Sequence, residues 1–231
     1  MKCLIIIPAR GGSKRIPHKN IALLQGKPLI QYTIDCVRDA GLSDFLVVST
    51  EDLTIAQVAK KNGVIVMNRP LELSKDNTST EKVLLNVLDQ FEIDGEVLPE
   101  WVMTLPPTSP LRSASSLTYF LEKLDLVNED IDCVMSVTEN KGDFWNFKTD
   151  GSFQRLFPDA PRRQQDRDSL FEENSSIYLT RVSALKETGS ILGRKVLGIP
   201  ISHYEGLDIN NINDLEYAEA LMNYYQKDVQ V

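Results

Sequence analysis

Four segments of this chain carry residue types and spacings that could do chemistry. The first, ARGGSKRIPHKN (9–20), sets Arg10, Lys14, Arg15 and Lys19 around the paired glycines Gly11 and Gly12, with no carboxylate in the stretch. Glycine lets a backbone take positive φ and come close to a ligand, so that successive N–H groups form an anion-binding nest. The cations can add charge-assisted hydrogen bonds to phosphate oxygens. Neither common phosphate loop is present: the GxxxxGK[ST] spacing is missing, and Gly-Gly-Ser-Lys is not GxGxxG. Charge and glycine content therefore favour a phosphate site over a solvated basic loop.

The second segment, RPLELSKDNTST (69–80), places Arg69 after an apolar run and gathers Thr78, Ser79 and Thr80 at a predicted helix start. Thr78 and Glu81 have capping-box spacing, which accounts for one hydroxyl and leaves Arg69 unexplained. In PPTSPLR (106–112), prolines stiffen a loop holding Thr108 and Ser109; a rigid turn and a binding loop fit it equally. In EGLDINNINDLEYAE (205–219), Asp208 and Asn210 share a face if the backbone is extended. Mg²⁺ is commonly held by one or two such protein ligands, with substrate oxygens and waters. Spacing alone leaves open whether Asp208 or Asn213 instead caps the following helix. The two histidines, His18 and His203, have no Ser or Cys in an evident nucleophile arrangement, which speaks against a covalent triad.

The chain has 231 residues and a net charge of −8, yet residues 1–34 hold six Lys/Arg and no acid. The remainder balances at −14, with 19 basic and 33 acidic residues. An acidic body argues against nucleic acid as the main partner, and its local basic stretch fits a small anion. Cys3, Cys36 and Cys133 sit singly in apolar runs without CxxC spacing, as buried free thiols of a reducing compartment would. The opening apolar run is too short for a secretory signal, and no run approaches a membrane span. The expectation is a cytoplasmic protein.

The elements that must position these segments alternate in type. Strands are predicted at 3–7, 45–50, 64–67, 101–105, 132–137, 175–180 and 195–201, and helices at 28–40, 53–62, 79–91, 114–125 and 214–226. Such alternation implies an α/β fold with a mostly parallel sheet and helices on both faces. Ligands then sit beyond the carboxyl ends of the strands, which gathers 8–20, 68–80 and 106–112 in one place. The rhythm breaks at about 138–175, where Phe144, Trp145, Phe147, Phe153 and Phe157 are too many aromatics for a disordered linker. The expectation is one domain, 1–231, with an ordered insertion packed on the body or on a second subunit.

The ordered set PARGGSKRIPHKN, VVSTEDLTIAQVAKKNGV, RPLELSKDNTST, PPTSPLR, PRRQQD, ENSSIY and GLDINNINDLEYAE resembles the acylneuraminate cytidylyltransferases, and the likeness spans nearly the whole chain. The resemblance implies a Rossmann-like nucleotidyltransferase fold forming a homodimer through the insertion. It implies that CTP and a 2-keto sugar acid give a CMP-sugar and pyrophosphate, with Mg²⁺ and with neither nucleic acid nor membrane as partner. Carried over by motif, Arg10, Lys19 and Asp208 are catalytic. Gly11, Gly12, Ser13 and Lys14 meet the phosphates; Asn20, Arg69, Thr78 and Thr80 hold the nucleotide. Thr108, Ser109, Arg162 and Arg163 are expected on the sugar side, the arginines suited to the sugar carboxylate. Asp208 and Asn210 would hold the metal.

The chain departs from the family pattern at four places. Pro106 stands where a Gln is usual, Asn210 where a second Asp is usual, Ser175 where a Gly is usual, and Ala160 where some members have Arg. Most of these lie toward the sugar or metal. The leading expectation is a nonulosonate acceptor such as neuraminate, legionaminate or pseudaminate. An eight-carbon Kdo-type acceptor and a non-catalytic nucleotide-binding homologue are the alternatives.

Overall fold

The computed structural model describes residues 2–228. Seven strands, β1 (Cys3–Pro8), β2 (Leu46–Thr50), β3 (Ile65–Asn68), β4 (Trp101–Thr104), β5 (Cys133–Asn140), β6 (Leu170–Arg181) and β7 (Val196–Pro200), form one sheet. Its order is β7-β5-β6-β4-β1-β2-β3. Of these seven, β6 alone runs against its neighbours; all other pairings are parallel. The inner strands are buried on both faces, which is why CLIII reads as continuous apolar residues rather than as an alternation.

Alternate residues nevertheless serve different layers. Ile5, Ile7, Val48 and Met103 pack with Ile30, Ile34 and Val37 of α1 (Leu29–Asp39), with Ile55 of α2 (Leu53–Lys61) and with Phe120 of α4 (Ala114–Lys123). Leu4, Ile6, Val47 and Val102 face Leu84, Val87 and Leu88 of α3 (Thr80–Ile93), and Leu185 of α5 (Val182–Thr188). A third cluster joins Ile16, Leu111, Ile209 and Ala218, the last in α6 (Ile212–Asp228). It ties together three of the chemically marked segments, so their relative positions are set by apolar packing.

Local rules account for most element ends. The Asp52 side chain accepts from the Thr54 and Ile55 N–H groups and starts α2. Gly41, at φ 72, follows the end of α1 in the left-handed conformation that glycine tolerates. Pro28 is the N-cap of α1 rather than part of its first turn. The capping box expected from Thr78 and Glu81 does not form: Ser79 is the N-cap without a side-chain bond, and Glu81 instead accepts from Ile191 N. The short α5 and the hairpin of Leu23–Leu24 with Lys27–Pro28 were not foreseen.

The break in rhythm is narrower than expected, because β5 runs on to Asn140 and β6 begins at Leu170. The segment 141–169 carries a hairpin of Trp145–Phe147 with Phe153–Arg155. Charge organises it: Asp143 faces Arg155 at 2.7 Å, Arg167 at 3.3 Å and Arg162 at 3.5 Å. Trp145, Phe147 and Phe153 remain exposed.

Candidate functional site

Beyond the carboxyl ends of β1, β3 and β4 lies a cleft of about 220 Å³. Arg10, Gly12, Ser13, Lys19, Asn20, Arg69, Thr78, Thr80 and Thr108 all line it. The expected convergence of three loops is therefore present, and most of the nucleotide-side residues stand in one place.

The opening loop is held from beneath. The Asn20 amide donates to the Arg10 carbonyl at 2.8 Å, and the Gly11 N–H donates to Glu51 Oε1 at 2.8 Å. Neither Gly11 nor Gly12 takes positive φ, contrary to the nest expectation. Gly11 is needed for close approach instead, since a Cβ there would lie 2.4 Å from Asp52 Oδ2 and 2.9 Å from Asp52 Cβ. One acid after β2 thus braces the loop while the next caps α2 against it.

The cations differ in their surroundings. Arg10 Nη1 and Lys14 Nζ both meet the Asp76 carboxylate, each at 2.7 Å, and hydrogen bonds from Lys14 and Arg10 hold that carboxyl below its usual range. Asp76 marks a point where two cations converge on one anion. Lys19 donates to the Ile209 carbonyl at 2.9 Å. Burial lowers its pKa, and the nearby Asp208 works against that shift. Arg69 is 4 % exposed and donates to the Ser49 carbonyl at 2.7 Å. Burial pulls its pKa down to about 10, with Glu51 opposing, so it stays charged at neutral pH.

Asp208 is not a helix cap. The Asn211 side chain accepts from Asn213 N and Asp214 N, while Asp214 accepts from Asn210 N and Asn211 N. This reciprocal pair starts α6 and leaves Asp208 with the Asn210 amide at 2.6 Å and Lys19 as its charged neighbour. The Ile209 N–H donates to the Thr108 carbonyl at 2.8 Å, seating the Asp208 segment against the PPTSPLR loop.

Three expected sugar-side residues are placed differently. Ser109 is fully buried and does not line the cleft. Arg162 and Arg163 have side chains 76% and 75% exposed, pair with Asp143 and Asp166, and do not line this chain's cleft. Sequence reasoning also passed over Arg112, the last residue of PPTSPLR. It is 5 % exposed, and its hydrogen bonds among the described residues go to neutral acceptors. It donates to the carbonyls of Ser176 and Pro106, each at 3.0 Å, and to Thr33 Oγ1 at 3.4 Å. Its only sequence signal was its place at the end of a motif. The acids Glu51, Asp52 and Asp76 gave none toward this loop, because the residues they meet there lie 40 to 66 positions away. Cys36 and Cys133 are buried free thiols as expected, and Cys3 is half-buried. Among the described residues no helix is long and apolar enough to cross a membrane.

A mostly parallel α/β sheet with a cationic cleft at its carboxyl ends defines an α/β protein whose site suits an anionic ligand. The chain matches the Cytidylyltransferase family over residues 4–229 and belongs to it, so it is a nucleotidyltransferase. It is 28% identical over 231 residues to the CMP-N,N'-diacetyllegionaminic acid synthase of Legionella pneumophila, covering 98% of this chain and 99% of that one. It is 30% identical over 226 residues to the pseudaminic acid cytidylyltransferase of Campylobacter jejuni, covering 96% of each. Identity to the N-acylneuraminate cytidylyltransferase of Streptococcus agalactiae is 29% over 220 residues, 93% of this chain but 52% of that protein. Among solved structures, a CMP:2-keto-3-deoxy-manno-octonic acid synthetase complexed with CTP superposes with a TM-score of 0.72 at 18% identity, covering 97% of this chain and 100% of that one. That likeness establishes the fold.

Proposed function

We propose that the protein transfers CMP from CTP to the anomeric hydroxyl of a nonulosonic 2-keto sugar acid, releasing pyrophosphate. The observation that carries this reading is the single cleft in which Arg10, Lys19 and Arg69 meet the loop bearing Thr108, with Asp208 freed from helix capping. The names of relatives aligned over nearly the whole chain support the acceptor class.

In this reading the anomeric oxygen attacks the α-phosphorus, and the bond from that phosphorus to the bridging oxygen of the β-phosphate breaks. The bond's electron pair leaves with pyrophosphate, and the hydroxyl proton passes to a base. Little covalent work falls to the protein, so positioning and charge neutralisation dominate. Arg10 and Lys19 neutralise charge building on the leaving group. Gly12, Ser13 and Lys14 hold phosphates, with Gly11 setting the loop's position. Asn20, Arg69, Thr78 and Thr80 flank the nucleoside.

The residues present fit Mg²⁺. Among the described residues no group of three or more His, Cys, Asp or Glu forms a protein cage for a metal. Asp208 instead offers carboxylate oxygens of the kind Mg²⁺ takes beside substrate oxygens and waters, while the Asn210 amide donates its N–H to that carboxylate and so orients it rather than adding an oxygen ligand. When bound, Mg²⁺ would supply charge neutralisation on the phosphates. The exposed Trp145, Phe147 and Phe153 fit a homodimer contact, which would let Arg162 and Arg163 serve the partner's acceptor site.

The test is incubation with CTP, MgCl₂ and a panel of nine- and eight-carbon 2-keto sugar acids, following pyrophosphate. Release with a nine-carbon acid is expected. Preference for the eight-carbon acid would overturn the acceptor class. Absence of release with every acid, despite measurable CTP binding, would overturn the catalytic reading.

A further inference from the structure

Ser175 is one of three non-glycine residues with positive φ among the described residues, at φ 58. It lies in the irregularity of β6 where register against β5 shifts, between Glu173 opposite Val137 and Tyr178 opposite Met135. Glycine takes this conformation without penalty, whereas a Cβ strains it. The serine does nothing visible for the fold in return. Its hydroxyl makes no hydrogen bond to backbone among the described residues; its contact is the Tyr178 hydroxyl at 3.2 Å. That phenol donates in turn to Glu173. Burial, and then Glu173, push the phenol's pKa up, so it keeps its proton. Strain that the fold does not need points to function.

Register places this cluster. Tyr178 lies opposite Thr104, and Thr104 opposite Ile6, so the three share one sheet face. Pro8 and Pro106, each two residues further along, line the nucleotide cleft. The cluster therefore stands on the cleft's face but on β6, the flank away from Arg69 and β3. Arg112 ties that flank to the PPTSPLR loop by donating to both Ser176 and Pro106. With the nucleotide between β1 and β3, the β6 flank is left for the acceptor.

We propose that Ser175, seated on Tyr178 and Glu173, is a specificity-determining residue that hydrogen-bonds a hydroxyl or acylamino substituent of the acceptor sugar acid. The inference rests on the reading of the protein as a sugar-acid cytidylyltransferase. One phenolic proton serves Glu173, so the Ser175 hydroxyl donates to the phenol oxygen and offers its own lone pairs as acceptors.

The test compares wild type, Ser175→Gly and Ser175→Ala with N-acetylneuraminate and a diacetamido deoxy analogue as acceptors. Ser175→Gly relieves the backbone and should melt no lower than wild type. Both variants should bind CTP with unchanged Kd. Both should lose about tenfold in kcat/KM for the preferred acid, the size of one lost hydrogen bond, and so shift the ratio between the two acids. An unchanged ratio in both variants, or a lower Tm for Ser175→Gly, would overturn the assignment while leaving cytidylyl transfer standing. Wild type that binds CTP but releases no pyrophosphate with either acid would overturn both.

Discussion

Gly11→Ala perturbs the opening loop at a point where the structure sets the size of the effect. The new methyl would lie 2.4 Å from Asp52 Oδ2 and 2.9 Å from its Cβ, so either the acid or the loop must move. Asp52 is pinned by two hydrogen bonds, from Thr54 N at 2.8 Å and Ile55 N at 2.9 Å. Turning it away forfeits an N-cap, about 1 kcal/mol. Keeping it forces overpacking, about 1–3 kcal/mol. A chain of this length should then lose about 3–10 °C in Tm. The functional cost should be larger, because the loop slides off Glu51, and a displacement of about 1 Å at a reacting group can cost about 10²-fold in rate. Calorimetric melting, CTP binding and kcat/KM for CTP are the assays. Gly12→Ala is the control for stability, as nothing lies within 4 Å of a Cβ there. Asp52→Ala loses the cap alone, and adding Gly11→Ala to it should cost little more. If the two losses simply add, the clash with Asp52 is not their cause. A Gly11→Ala enzyme within twofold of wild type in kcat/KM would refute the claim that Gly11 sets the phosphate loop.

Further outcomes follow from the same contacts. Asp208→Ala should lower turnover by at least about 10²-fold with little change in Tm, whereas Asn211→Ala should cost about 1 kcal/mol of stability through its lost cap; melting of the Asp208 variant would mean it is structural after all. Arg112→Met strips a buried donor from several neutral acceptors and should destabilise by about 2–4 kcal/mol in urea titration; a loss below about 1 kcal/mol would contradict its role as a clamp. Because burial lowers the Lys19 pKa, its charge is lost at a lower pH than an ordinary lysine's. CTP affinity should therefore be full below that folded-state pKa and fall as pH rises through it. Lys19→Arg should push the fall to higher pH, and an identical profile for the two proteins would rule Lys19 out as the titrating group.

Much of this protein is legible from its sequence because much of it is local. A strand such as CLIII or LVVST, and the helices that follow, depend on side-chain periods and on caps within a few residues. The ends of parallel strands gather on one side by topology, so the loops of Arg10, Arg69 and Thr108 could be expected together before any contact was known. Even Ser175, odd against the family pattern, was visible as a departure, though its φ was not.

Contacts between distant positions were decided by the tertiary structure. Capping shows why: both Asp208 and Asn213 had suitable spacing, yet Asn211 and Asp214 make the cap, and only backbone geometry chooses among neighbouring acids and amides. Gly11 looked like a residue chosen for positive φ and is instead a residue chosen for the Asp52 side chain, 41 positions away. Arg112 spans 64 positions to Ser176, and Lys19 spans 190 to Ile209. Hydrogen bonds within an element are set by the residues that form it; those that aim a functional side chain exist only after the sheet has brought its loops together.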